Sequence, residues 1–259
     1  ICADKDNLIA VIVSNAPTNY IAPIADQGDF TKMGGLYRGV KLIIVDPVHI
    51  ALNDSGSCGV YIMPHNISES AANINMLVKL DKAEIAEAKA KIYDPQGKLV
   101  EELFGRADKD RIMLSGEINY PKLWNGVNDP ALYRADITLF YDAVEQKFGI
   151  RSYQIDADKG FFLNGKSYPL HGVNYHQDSY ESGWAMSDAQ RERDYHIIRD
   201  MGCTAVRMAH YQHCDYEYSL CDRLGLCVWT EIGIVNKMSD DESDTHALSN
   251  GFADNAKQQ

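Results

Sequence analysis

Across the first 148 residues the apolar positions come in short runs and in alternation, the period of strands with one buried face. Ile74, Met76, Val78 and Leu80 alternate, as do Ala135, Ile137, Leu139 and Tyr141. Asp94-Pro95-Gln96-Gly97 supplies a turn between two such stretches. Roughly seven short strands over residues 46–148 predict an immunoglobulin-like β-sandwich. Residues 81–91 are rich in Ala, Glu and Lys and have high helix propensity. The alternation of Ala88, Ala90 and Ile92 nevertheless predicts a strand by Ala88. Ahead of the sandwich, apolar runs at 8–13 and 40–45 flank a loop rich in Gly, Pro and Asp, which reads as the end of another β-domain.

After Gly149 the period changes. Residues 161–168 form a hairpin around Asn164-Gly165, a pair suited to a tight turn. Strand-like and helix-like stretches then alternate. Residues 170–175 read as a strand, and Ser187 with Gln190 three positions on is a capping box that starts a helix. Ile197, Ile198 and Met201 mark its apolar side and Gly202 its end. Residues 204–208 form the next strand, 215–224 the next helix, closed by Gly225, and 226–232 a third strand. Strand, helix, strand, helix, strand implies parallel β/α units.

Composition narrows the functional classes. The chain has 259 residues, is 45% hydrophobic and carries a net charge of −12. It is long enough for one large domain or two ordinary ones. With no basic cluster, nucleic acid is an unsuitable partner, because its phosphates demand grouped Lys and Arg. No run of eighteen apolar residues is present to cross a membrane. The opening residues lack the basic and apolar stretches of a signal peptide, so a periplasmic and a cytoplasmic location both stay open. Cys2, Cys58, Cys203, Cys214, Cys221 and Cys227 contain no C-x-x-C pair and read as mostly buried thiols. His210, His213 and Cys214 could start a zinc cluster, but no second ligand pair accompanies them, and no metal is expected. No cofactor is expected either.

Polar residues gather where parallel β/α units place active sites, at the carboxyl ends of the strands. The first strand ends in Asn174-Tyr175-His176-Gln177-Asp178, the second in Arg207-Met208-Ala209-His210-Tyr211, the third in Trp229-Thr230-Glu231. Side by side they would form one rim of imidazoles, a guanidinium, an amide and a carboxylate. Such a set can hydrogen-bond a polyhydroxylated ligand. Any one of these residues alone is more often a surface or structural group; it is the agreement of three strand ends that points to function. Trp184 and Trp229 are open between sugar platform and core packing.

The same residues carry a resemblance. Gly28-Asp29-Phe30-Thr31 with Gly34-Gly35-Leu36-Tyr37-Arg38, Leu163-Asn164-Gly165-Lys166, 171–178, 205–211 and 220–226 together resemble family 2 glycoside hydrolases, bacterial β-galactosidases in particular. That resemblance implies three parts: the C-terminal part of a jelly-roll sugar-binding domain (1–45), an immunoglobulin-like sandwich (46–148) and the first β/α units of a TIM barrel (149–259). It places Asp29 on a loop holding sugar hydroxyls, and His176 and His210 beside the sugar. Arg207 and Glu231 would shape the same pocket with Asn174. In some relatives a magnesium site follows the position of Glu231; here Val235 and Lys237 stand at the corresponding places, so that metal is not expected.

A retaining glycosidase needs two carboxyl groups about 5 Å apart. In the family both are glutamates on later strands, so the resemblance implies that this chain lacks them and is inactive alone. The acidic residues Asp240, Asp241, Glu242 and Asp244 read as a solvated loop. The implied activity is retaining hydrolysis of terminal β-galactosides, with a β-glucuronidase of the same family and a non-catalytic carbohydrate-binding module as the alternatives. A homo-oligomer is possible through the parent enzyme.

Overall fold

A computed structural model of the chain describes residues 5–16, 30–54, 56–82, 85–234 and 252–258. Asp29, Val235, Lys237 and the acidic stretch 240–244 lie outside the described residues. The expected sandwich is present. Strands β1 (Val60–His65), β2 (Ala71–Lys79), β3 (Glu87–Tyr93), β4 (Leu99–Asp108), β5 (Arg111–Asn119), β6 (Tyr133–Leu139) and β7 (Asp142–Phe148) pair in the order β1-β2-β5-β4-β3-β6-β7. Every neighbouring pair is antiparallel. β4 pairs with β3 along most of its length, but its last residues, Ala107 and Asp108, pair with Ile112 and Arg111 of β5. One strand therefore passes from one layer to the other. Ile74, Met76, Val78, Ile112 and Leu114 then share one core with Ala90, Ile92, Ala135, Ile137 and Leu139, all fully buried. The helix propensity of 81–91 loses to this burial: a strand begins at Glu87, and its alternation sends Ala88, Ala90 and Ile92 inward.

The apolar runs at 8–13 and 40–45 differ from expectation. They form no strand, and Leu8 and Ile12 are each 96% exposed. Extended backbone becomes sheet only when a second strand satisfies its N–H and C=O groups, and among the described residues none lies alongside these runs.

After the sandwich, β8 (Tyr153–Asp156), β9 (Gly160–Leu163) and β10 (Lys166–Ser167) form a small antiparallel sheet. Asn164 (φ 51°) and Gly165 (φ 74°) both take the left-handed region that the two-residue turn requires. The α/β part follows: β11 (Gly172–Tyr175), α1 (Asp188–Asp200), β12 (Ala205–Met208), α2 (Asp215–Leu224) and β13 (Cys227–Thr230). A last helix, α3, spans Phe252–Gln258. β11, β12 and β13 are parallel and adjacent in that order. Ser187 and Gln190 form the capping box of α1, and Gly225 (φ 77°) closes α2.

The buried face of α1 is not the one the apolar residues marked. Ile198 is buried, but Ile197 and Met201 are 52% and 65% exposed; Arg191 and Tyr195 take the inward positions. An arginine can sit there because Glu217 of α2 receives it. The thiols also divide: Cys203 and Cys221 are buried, Cys214 and Cys227 half-buried, and Cys58 exposed.

Two anchors fix the α/β part against the sandwich. Trp124 is fully buried with Leu163 and Tyr168, and its indole N–H donates to the Asp222 carbonyl at 2.9 Å. Arg199 donates to the Val127 carbonyl at 2.8 Å, and the Val127 N–H donates to the Tyr168 hydroxyl at 3.0 Å.

Candidate functional site at the strand ends

The register of the parallel sheet determines which side chains meet. Asn174, Arg207 and Trp229 are level with one another on neighbouring strands, and Tyr175, Met208 and Thr230 are level one residue later. Val206 and Met208, with Val173, Tyr175 and Val228, pack towards the helices. Alternation therefore turns Asn174, Arg207 and Trp229 to the opposite, inner face. Glu231 is two residues beyond Trp229 and continues on that face.

Four of the six residues singled out from the sequence form one hydrogen-bonded group. Arg207 Nε donates to Glu231 Oε1 at 2.7 Å and its Nη1 donates to Asn174 Oδ1 at 3.3 Å. His210 Nδ1 is 2.9 Å from Glu231 Oε2 and 3.2 Å from Arg207 Nη2. Burial alone would raise the Glu231 carboxyl, but the hydrogen bonds from Arg207 and His210 outweigh it and hold the group below the usual carboxylate range. An ionised Glu231 only accepts, so His210 Nδ1 carries the hydrogen in that contact and lies beside the Arg207 guanidinium without accepting from it, which leaves Nε2 as the nitrogen for a ligand.

His176 stands beside this group, its ring centroid 5.4 Å from that of His210 and its Nδ1 3.3 Å from the Tyr211 hydroxyl. Asp29 lies outside the described residues, but Phe30, next in the chain, packs over both histidines at 6.0 Å and over Tyr211 at 4.9 Å. The segment that leads from Phe30 is tied to the same rim. Tyr37 meets the Trp184 ring edge-on at 5.5 Å. Arg38 donates to Gln177 Oε1 at 3.1 Å and to the Gln212 carbonyl at 3.2 Å. Trp184 packs on Tyr211 at 4.8 Å as part of this wall, whereas Trp229 is 67% exposed on the inner face of the sheet.

Tyr211 belongs to the strand end read from the sequence, whereas Phe30 and Arg38 are site residues that the sequence reading does not single out. Phe30 and Arg38 lie within motifs that carried the resemblance, but which rim they touch depends on a contact across more than a hundred residues. A second polar group, Arg191, Glu217 and His213, lies buried behind the rim. Its one local signal was the spacing of four between His213 and Glu217. Among the described residues no group of three or more His, Cys, Asp or Glu is arranged to hold a metal ion.

On the open side of the three-stranded sheet lies a hollow of about 500 Å³, lined by Tyr153, Ile155, Phe161, Asn174, Arg207 and Trp229 among others. Its walls are mostly apolar and its mouth is wide. The inner face of these strands is thus uncovered.

Comparison with known proteins agrees with this architecture. Residues 51–151 match the family described as glycosyl hydrolases family 2, and residues 155–259 match glycosyl hydrolases family 2, TIM barrel domain. The chain is 36% identical to a β-glucuronidase of Bacteroides fragilis over 89% of its own length and 35% of that protein's. It is 31% identical to a β-galactosidase of Thermoanaerobacterium thermosulfurigenes, over 87% of its length and 32% of that protein's. The crystal structure of a Bacteroides uniformis β-glucuronidase superimposes with a TM-score of 0.83 at 31% identity, covering 95% of this chain and 30% of that one. The chain spans about a third of the length of these relatives.

Proposed function

Since this chain belongs to family 2 of the glycosyl hydrolases, we propose that it supplies the sugar-binding rim of a retaining β-glycosidase acting on terminal β-linked sugars. The observation that carries the reading is the convergence of Asn174, His176, Arg207, His210 and Glu231 on one rim at the ends of adjacent parallel strands. In this reading residues 1–45 end a jelly-roll domain, 46–148 are the sandwich and 149–259 open a (β/α)8 barrel. The uncovered inner face of the three-stranded sheet supports the last assignment, because a closed barrel would fill that hollow with side chains.

Each rim residue has a task its chemistry suits. His210 offers Nε2 and His176 an imidazole nitrogen to sugar hydroxyls, and Asn174 offers its amide. Glu231 holds Arg207 and His210 in place, and Phe30 gives the sugar an apolar wall. Asp29, outside the described residues, adds a carboxylate for hydroxyls on the chain leading to Phe30. Bonds that tighten as the sugar ring flattens towards an oxocarbenium-like state accelerate cleavage; uniform binding does not. The acid/base and nucleophile glutamates come from later barrel strands, so this chain alone is inactive.

Two sugars have comparable support. A glucuronide presents a carboxylate that needs a cation of its own, and Arg207 is already paired with Glu231, which favours a neutral galactoside. Similarity to β-glucuronidases favours the second reading, with the missing cation supplied by later strands. The test is hydrolysis of nitrophenyl β-galactoside and nitrophenyl β-glucuronide by this chain and by a polypeptide extended through eight barrel strands. Turnover of either substrate by the extended form alone is expected, and the preferred substrate identifies the sugar. Turnover of neither, with galactoside bound by the short chain, would replace the enzyme reading with that of a carbohydrate-binding module.

A further inference from the structure

Behind the rim, three ionisable side chains are closed off from water. Glu217 and His213 have fully buried side chains, and that of Arg191 is 5% exposed. Arg191 Nε donates to Glu217 Oε1 at 3.2 Å, and its Nη1 donates to the Met186 carbonyl and lies 3.5 Å from Asp188. His213 Nδ1 is 2.8 Å from Glu217 Oε2, and His213 Nε2 is 3.1 Å from the Ala209 carbonyl. The rings of Tyr211 and Tyr175 cover the imidazole at 5.3 and 5.9 Å.

The donor count orders this group. A carbonyl only accepts, so His213 Nε2 carries a hydrogen and donates it to Ala209. The contact with Glu217 needs one further proton, on Nδ1 or on the carboxyl, and Arg191 fixes the other carboxylate oxygen. The imidazole therefore has a single orientation, and it grips the residue immediately before His210. Ala209 is held on its other side as well, its N–H donating to the Tyr175 carbonyl of β11 at 3.1 Å. Taking charges out of water is expensive, and apolar residues of similar volume often replace a buried ion pair at no loss of stability. Stability alone is thus a weak reason for an Arg-Glu-His chain in this core.

We propose that Arg191, Glu217 and His213 form a buried positioning relay which, through the Ala209 carbonyl, sets the His210 imidazole against Glu231 for sugar binding. The proposal rests on the reading of the rim as a glycosidase subsite. None of the three touches the sugar; they act through His210.

The test uses the polypeptide extended through the full barrel, with E217Q, H213Q, H213L and, as a core control, I198V. Two readouts are taken: kcat and KM on the nitrophenyl glycoside that the parent hydrolyses, and the His210 to Glu231 contact in crystal structures. Folded E217Q is expected to lose about 10- to 100-fold in kcat/KM, with the 2.9 Å contact of His210 broken or lengthened. H213Q, which keeps an N–H for the Ala209 carbonyl, should lose less than H213L. I198V should lower the unfolding midpoint without changing kcat/KM. An E217Q protein with the parent's kcat/KM and an unmoved His210 would overturn the relay. So would failure of both E217Q and H213Q to fold, which would assign the group to stability. If the extended parent hydrolyses neither glycoside, the functional reading fails, and the position of His210 in E217Q still decides the relay.

Discussion

Replacing Glu231 with Gln changes one oxygen for one NH2 and should reverse the hydrogen-bond polarity of the rim. The carboxylate accepts from Arg207 Nε at 2.7 Å and from His210 Nδ1 at 2.9 Å. An amide can accept only once on that face. Arg207 has no acceptor, so the amide oxygen must turn to it, and the NH2 must then face His210 Nδ1. Two donors cannot share a hydrogen bond, so Nδ1 gives up its hydrogen and Nε2 gains one. A charge-assisted hydrogen bond contributes about 1.5–3 kcal/mol. Conversion of one such bond to a neutral one of opposite sense should cost roughly half to all of that. At about 1.4 kcal/mol per factor of ten, the expected loss in kcat/KM of the extended polypeptide is thus on the order of 3- to 150-fold.

The pH dependence follows from the same carboxylate. Its pKa is held below the ordinary 4.5, so its stabilisation is fully present above that value and is lost as the pH falls through the lower, folded-state value. The parent should lose rim order only below pH 4.5, and E231Q should lack that acid limb. The assay is nitrogen-15 NMR of histidine-labelled protein, which distinguishes the two ring tautomers, together with kcat/KM across pH. An unchanged His210 tautomer in E231Q, with parental kcat/KM, would refute the reasoning.

Three further outcomes test the fold. Trp124→Ala removes a fully buried indole and leaves the Asp222 carbonyl without its donor. Urea titration should show a loss of about 3–5 kcal/mol, with the α/β part unfolding ahead of the sandwich; Trp124→Phe should lose less than half of that. Iodoacetamide should modify Cys58 within minutes, whereas Cys221, whose thiol pKa burial pushes far up, and buried Cys203 should react only after unfolding. Ala substitution at Gly225, which is in the left-handed region and whose added Cβ would collide with the Gly126 carbonyl, should lower the unfolding midpoint by several degrees in a thermal melt.

Elements governed by local periodicity were legible in the sequence. The alternation of Ala135, Ile137 and Leu139, the Asn164-Gly165 turn, the Ser187 capping box and Gly225 all stand where residue chemistry alone places them. The rim was legible for a related reason: parallel strands of similar length must end together, so the polar residues after them must meet. What escaped depends on distant partners. The inward face of α1 does not follow its apolar residues, because Arg191 is buried only by virtue of Glu217, 26 residues later. The runs at 8–13 and 40–45 have the composition of strands without a neighbour to pair with among the described residues. Phe30 reaches His176 and Tyr211, and Arg38 reaches Gln177, by contacts that no local pattern announces.

The account's central claim, that the strand-end rim is where the sugar binds, is tested most directly by a crystal structure of the extended polypeptide soaked with galactose or glucuronate. The prediction is a sugar ring beside Phe30, with hydroxyls within about 3 Å of His176, His210 and Asn174. A sugar bound elsewhere, with these residues unengaged at a saturating concentration, would contradict it.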